Sequence, residues 1–244
     1  MTESRRAGVI GAWRKKCLVL ICFWMFVMNW DVDAAPDKQE AAGFSPDGYD
    51  FTLIDQYALA TPESATKSLN HLARHLTSGA RNDLEKTRAI YRWITDNVKY
   101  DMVAYNSGKL RSTNLNADDV LRTRLTICDG YSRLFEELSY LSGLAVVRVE
   151  GYVESLGRYG SNPLRYGGWP NHAWNAVRFE GKWYLIDATW GVGGGFEDYF
   201  LPLPSRLIRT HFPADPKWQL LKPHLTIRQY QDQVLKDKAF IRNQ

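Results

Sequence analysis

The chain has 244 residues, of which 45% are hydrophobic, 24% charged and 13% aromatic. Those proportions suit a buried core and exclude a disordered, collagen-like or coiled-coil protein. Thirty-one basic and 27 acidic residues leave a net charge of +4. With no basic stripe to accompany it, nucleic acid is not the expected partner.

Arg5, Arg6, Arg14, Lys15 and Lys16 precede an uncharged, mostly apolar run from Cys17 to Trp30. Small residues follow, with Val32 and Ala34 placed for cleavage after Ala34. A positive region, a short apolar run and a small-residue site form a secretory signal. The run has 14 residues, short for a spanning helix of about 20. Export to the periplasm or exterior is expected, with no stable membrane insertion after cleavage; an uncleaved N-terminal anchor is the alternative. Cleavage removes Cys17 and Cys22 and leaves Cys128 alone. A lone cysteine in an exported chain is a free reactive thiol, an intermolecular partner, or an inert buried residue.

Residues 35–60, with Pro36, Gly43, Pro46 and Gly48, read as an irregular leader. Thr61-Pro62 starts a helix with Thr61 as N-cap, carrying Ala65, Leu69, Leu72 and Leu76 and ending at Gly79. Asn82 with Glu85 opens a second as a capping box, with Leu84, Tyr91, Ile94 and Val98 on its apolar face. Residues 101–117 read as a polar loop and 118–121 as a helical turn. Cys128 lies at or next to the N-terminus of an amphipathic helix whose stripe is Leu134, Phe135, Leu138 and Leu141, ending at Gly143.

Val146–Val153 reads as a strand and 154–170 as a loop. His172–Phe179 and Lys182–Thr189 form a hairpin through the two-residue turn Glu180-Gly181. That turn pairs Phe179 with Lys182 and Trp174 with Asp187. His172 and Trp174 then share a face, and Asp187 lies diagonal to His172, within side-chain reach. The run Gly191-Val192-Gly193-Gly194-Gly195 lacks a P-loop lysine and is read as a mobile loop, not a phosphate cradle. A short helix after Thr226 closes the charged tail.

Thiol, imidazole and carboxylate are the parts of a nucleophilic triad. A helix N-terminus and an imidazolium both favour the thiolate. His172 would take or hold the thiol proton, and Asp187 would orient the ring. The Cys128 N–H would face the oxyanion. Each residue has a plainer role: a satisfied buried histidine, a strand-end cap, an inert cysteine. Asp129, beside the thiol, would oppose thiolate formation. No zinc-ligand spacing, calcium loop or cofactor motif is present.

The segments Leu125–Phe135, Asn171–Val177 and Trp183–Gly191 resemble the nucleophile helix and the His and Asp strands of the transglutaminase-like superfamily. Tyr199–Pro202, His211–Leu221, Arg88–Ile94 and Lys99–Asp101 are similar to its kyphoscoliosis-peptidase-like group. The resemblance implies an α+β papain-like fold, a nucleophile helix packed on an antiparallel sheet, over a catalytic domain at 61–221 with a tail at 222–244. It carries nucleophile to Cys128, base to His172 and orienting acid to Asp187. The substrate class it implies is a protein or peptide amide, attacked by a cysteine peptidase or an acyltransferase. A non-catalytic protein-binding scaffold is the alternative. Thr126 departs from the family, where glycine is frequent two residues before the cysteine. Trp169, Trp174 and Tyr100 are candidates for the second oxyanion donor, with packing as the competing role. His211 is read as structural.

Overall fold

The computed structural model describes residues 48–107, 115–153, 169–192 and 195–242. The signal expected at 1–34 and the 154–168 part of the loop expected before His172 lie outside them. Among the described residues no helix is long and apolar enough to cross a membrane.

The first surprise is α1, Thr52–Leu59, inside what reads as an irregular leader. Ile54 and Ala58 are four residues apart and both buried. Eight residues are too few for periodicity to stand out, so tertiary packing decides the helix. A 3₁₀ turn, Glu63–Lys67, follows Pro62, and α2 spans Leu69–Ser78. The expected start at Thr61 is therefore wrong. Ser68 is extended, breaks the run and caps α2 by accepting from the His71 N–H.

Helix α3 covers Asp83–Asn97, with the Asn82 side chain accepting from the Glu85 N–H as expected. Glu85 does not close a capping box on Asn82; its carboxylate accepts from the Arg81 N–H and guanidinium. Strand β1 (Lys99–Tyr100) leads into α4, Met102–Ser107, which corrects the polar loop assigned there. Helix α5 is Ala117–Thr123, capped by Asn116. Arg124 then takes a left-handed backbone, and β2 (Leu125–Thr126) pairs in parallel with β1. Helix α6 runs Cys128–Leu141.

Strands β3 (Ala145–Val153), β4 (His172–Phe179), β5 (Lys182–Ile186) and β6 (His211–Pro213) form one sheet in the order β5-β4-β3-β6, every neighbour antiparallel. The hairpin register holds from Phe179↔Lys182 to Asn175↔Ile186. Its turn residues Glu180 and Gly181 both have positive φ, 50° and 77°, as a type I′ turn demands. The strand expected through Thr189 stops at Ile186, and Ala188–Val192 is helix α7. Gly191 thus lies in a helix rather than a loop, while Gly193 and Gly194 lie outside the described residues.

The sheet separates two apolar layers. Val177, Phe179 and Ile186 join α1, α2, α3, α5 and α6 in the larger core. Val149, Trp174, Ala176 and Leu185 face Leu207 of α8 (Pro204–Leu207), and Trp218 of a 3₁₀ turn at Pro216–Gln219. Gly151 is bare at this crossing because a Cβ there would lie 2.4 Å from both the Trp174 ring and the Phe212 carbonyl. The tail is more than a short helix: α9 spans Ile227–Arg242, and its Tyr230 is buried against Ile208 and Phe212. The expected boundary at 221 therefore cuts through a packed contact.

Buried in the larger core, the Arg88 guanidinium donates to Asp55 on one side and Glu197 on the other, over distances of 2.6 to 2.8 Å. It also lies over the rings of Phe51, Phe196 and Phe200, at 4.5–4.7 Å. This cluster fastens α1 and the segment after α7 to α3.

Candidate active site

Cys128 is the first residue of α6, so its backbone N–H is among those the helix leaves unpaired. The segment entering the helix is held by β1–β2 pairing and by the Tyr131 hydroxyl, which donates to the Val98 carbonyl over 2.7 Å. Thr126, the family departure, is buried there. The fold makes room for it at Gly130, where an added Cβ would sit 1.9 Å from the Thr126 hydroxyl.

His172 begins β4 and is buried. Its Nε2–H donates to Asp187 Oδ2 at 2.7 Å. Cys128, buried at the start of α6, is near enough to this imidazole to be among the groups that raise its pKa. Cys128, His172 and Asp187 are therefore brought together in series.

Asp187 is fully buried where β5 gives way to α7. The chain leaves the strand here because Asp187 Oδ1 accepts the N–H groups of Thr189 and Trp190, at 2.8 and 3.3 Å. It acts as a cap for α7 while its other oxygen serves the histidine. One carboxylate thus both caps a helix and holds a histidine.

Sequence reasoning missed His211. Assigned to structure alone, it lies in the site: its Nε2–H donates to the same Asp187 Oδ2 at 3.0 Å. Its strand is separated from β4 only by β3, which pairs Gly151 with both His172 and Pro213. The available signal was the resemblance of His211–Leu221 itself; nothing local in the sequence placed this segment on the far edge of β3.

The electrostatics divide the two rings. Burial pushes the His172 pKa down, but the Asp187 charge and hydrogen bond, aided by Cys128, outweigh it and raise it to about 10. Burial, with the neighbouring His172 charge, lowers that of His211 despite its bond to Asp187. Burial would raise the Asp187 carboxyl, yet His172 and His211 hold it well below the usual carboxylate range. The shared carboxylate thus favours a proton on His172 and disfavours a second charge on His211.

The ligand atoms of His172, Asp187 and His211 lie within 4.8 Å of one another, which invites a metal reading. The two contacts are direct and short, 2.7 and 3.0 Å. Neighbouring ligands of a tetrahedral ion stand ~3.3 Å apart when each bond is ~2.05 Å. The spacing is that of shared protons.

Asp129 does not face the thiol unopposed. Its carboxylate accepts from Arg133 Nε at 2.8 Å and Arg148 Nη1 at 2.7 Å, which offsets its charge. Among the oxyanion candidates, Trp169 is 92% exposed and Trp174 is buried. Tyr100 is half-buried, and burial followed by the nearby Cys128 raises its phenol pKa.

A cysteine at a helix N-terminus, facing a histidine and an aspartate on an antiparallel sheet, defines the papain-like class of architecture. The family model described as the transglutaminase-like superfamily matches residues 70–188, and the chain belongs to that superfamily. Within it, the chain is 36% identical over 222 residues to kyphoscoliosis peptidase of Homo sapiens, covering 86% of this chain and 33% of the relative. It is 29% identical over 250 residues to hillarin of Drosophila melanogaster, covering 89% and 28%. It is 29% identical over 204 residues to the Lim and transglutaminase domain protein ltd-1 of Caenorhabditis elegans, covering 74% and 27%. The chain thus spans about a third or less of the length of these relatives. Among solved structures, a candidate cysteine protease from Cytophaga hutchinsonii is 24% identical with a TM-score of 0.38, covering 62% of this chain and 46% of that one. A TGase structure is 19% identical with a TM-score of 0.36, covering 52% and 31%.

Proposed function

We propose that this chain is an exported cysteine enzyme acting on protein or peptide amides through a thioester. The observation that carries the proposal is the buried series from Cys128 through His172 to Asp187. The thiolate of Cys128 attacks the amide carbonyl carbon, forming a C–S bond and an oxyanion that faces the Cys128 N–H. Collapse of the oxyanion breaks the C–N bond, and the His172 imidazolium gives its proton to the departing nitrogen. Water or a primary amine then attacks the thioester and loses its proton to His172, and the C–S bond breaks. Water makes the enzyme a peptidase or amidase; an amine makes it a protein-glutamine acyltransferase. Asp187 keeps the ring oriented and its positive charge compensated in both halves. Export rests on the pattern of residues 1–34 and is tested by finding Ala35 as the N-terminus of material recovered outside the cytoplasm.

Iodoacetamide labelling at pH 6–7, beside His172→Ala and Cys128→Ser, tests the proposal. Rapid labelling of Cys128 that depends on His172 is expected. Labelling no faster than that of a cysteine peptide would leave a protein-binding scaffold as the better reading. Glutamine-containing peptides offered with and without a primary amine then separate backbone cleavage from amine incorporation.

A further inference from the structure

We infer that His211 is a positioning residue for this reaction: it acts through Asp187, holding from a separate strand on the same face of the sheet the same Oδ2 atom that orients His172. The inference rests on the catalytic reading of Cys128 and His172 and adds a fourth member to it.

Asp187 Oδ1 is fixed by the backbone N–H groups of Thr189 and Trp190. Were His172 the only donor to Oδ2, that oxygen would follow the imidazole whenever the ring moved to deliver its proton. His211 prevents this with a second donor at 3.0 Å, set on a separate strand. The ring is closed in on every side. Trp190 lies 4.7 Å away, Trp174 5.1 Å and Tyr199 5.8 Å between ring centres. The groups near it that take or carry charge are Asp187, His172 and Tyr199; burial, with Asp187 as the next cause, keeps the Tyr199 phenol neutral. Two imidazolium rings with centres 5.3 Å apart would repel, so a single carboxylate supports one cation. His211, kept neutral, carries its one proton on Nε2. Its Nδ1 then accepts from the Thr210 hydroxyl at 2.7 Å, which fixes that tautomer. A histidine retained for packing alone would need neither the shared oxygen nor the tautomer lock.

The test measures iodoacetamide labelling of Cys128 from pH 4 to 9 in the full chain and in His211→Phe, His211→Gln and Thr210→Val, with thermal melting of each. Phe keeps the ring shape without the N–H, and Gln returns an N–H near the Nε2 position. Losing one hydrogen bond to a charged group corresponds to about tenfold in rate. His211→Phe is expected to label about tenfold more slowly, its half-maximal pH moved up by roughly one unit. His211→Gln should recover most of that loss, and Thr210→Val should show a smaller shift in the same direction. Unchanged rate and midpoint in His211→Phe would overturn the inference, and so would equal slowing in Phe and Gln variants that melt early. If His211→Phe does not fold, Thr210→Val decides: a midpoint identical to that of the unaltered chain overturns it. Failure of the unaltered chain to show His172-dependent labelling is a different result, and it removes the catalytic reading itself.

Discussion

Two of the buried charges among the described residues, Arg88 and Asp187, are finished differently. At Arg88 the guanidinium meets carboxylates on both sides and aromatic rings over its faces, so its donors end on structural partners. At Asp187 the carboxylate is also saturated, but one of its donors, His172, keeps a second nitrogen free of the carboxylate and has Cys128 among the groups that raise its pKa. The first arrangement spends its electrostatics on joining elements. The second passes them on to a group able to react. A buried ion pair is by itself weak support for either role; the open nitrogen is what separates them.

Asp187→Asn breaks the contrast most deeply. The amide keeps the size of the side chain but removes the charge that holds His172 as a cation, and labelling of Cys128 should fall by about 10³-fold or more. Residual activity within tenfold of the unaltered chain would show that the carboxylate does not compensate the imidazole. Arg88→Met is the counterpart. It should cost about 2 kcal/mol, the scale of lost hydrogen bonds between charged groups, because the carboxylates left behind reach solvent, and lower the melting temperature by roughly 6 °C. Labelling per folded molecule should stay the same, and a rate that fell with stability would erase the distinction between the two clusters.

A pH titration of stability is the third probe. The folded His172 value, about 10, lies above its ordinary 6.5. Its contribution is therefore complete below about pH 6.5 and drains away as pH rises toward 10. Melting temperature should decline over that interval, and Asp187→Asn should flatten the slope. The smallest effect is expected from Arg148→Met, which leaves Asp129 with Arg133 alone. A two- to threefold loss of labelling at low salt, fading at high salt, would measure how far Asp129 opposes the thiolate.

What could be read from the sequence was whatever short-range geometry controls. The turn Glu180-Gly181 sets a register, the register places Asp187 near His172, and the stripe from Leu134 to Leu141 puts Cys128 at a helix start. The unread parts depend on contacts distant in the chain. Helix α1 exists because Ile54 and Ala58 meet α3, and Asp55 meets Arg88. Pro62 looked like a helix start until the extended Ser68 placed the beginning later. His211 was visible but had no address, because a three-residue strand carries almost no periodicity and its neighbour β3 ends near residue 153. The true end of β5 was hidden for a chemical reason: Asp187 diverts the backbone by accepting the N–H groups that a continuing strand would have used otherwise.

The C-terminal helix gives β6 a further consequence. The Tyr230 hydroxyl donates to the Thr210 carbonyl, next to His211, over 3.0 Å. A ribosome releases the sulfur first, then the ring and the acid, then His211, and the Tyr230 clasp after all of them. The last donor to the carboxylate is thus secured by residues translated after every other member of the cluster, so the sulfur's full setting cannot exist before Tyr230 has emerged.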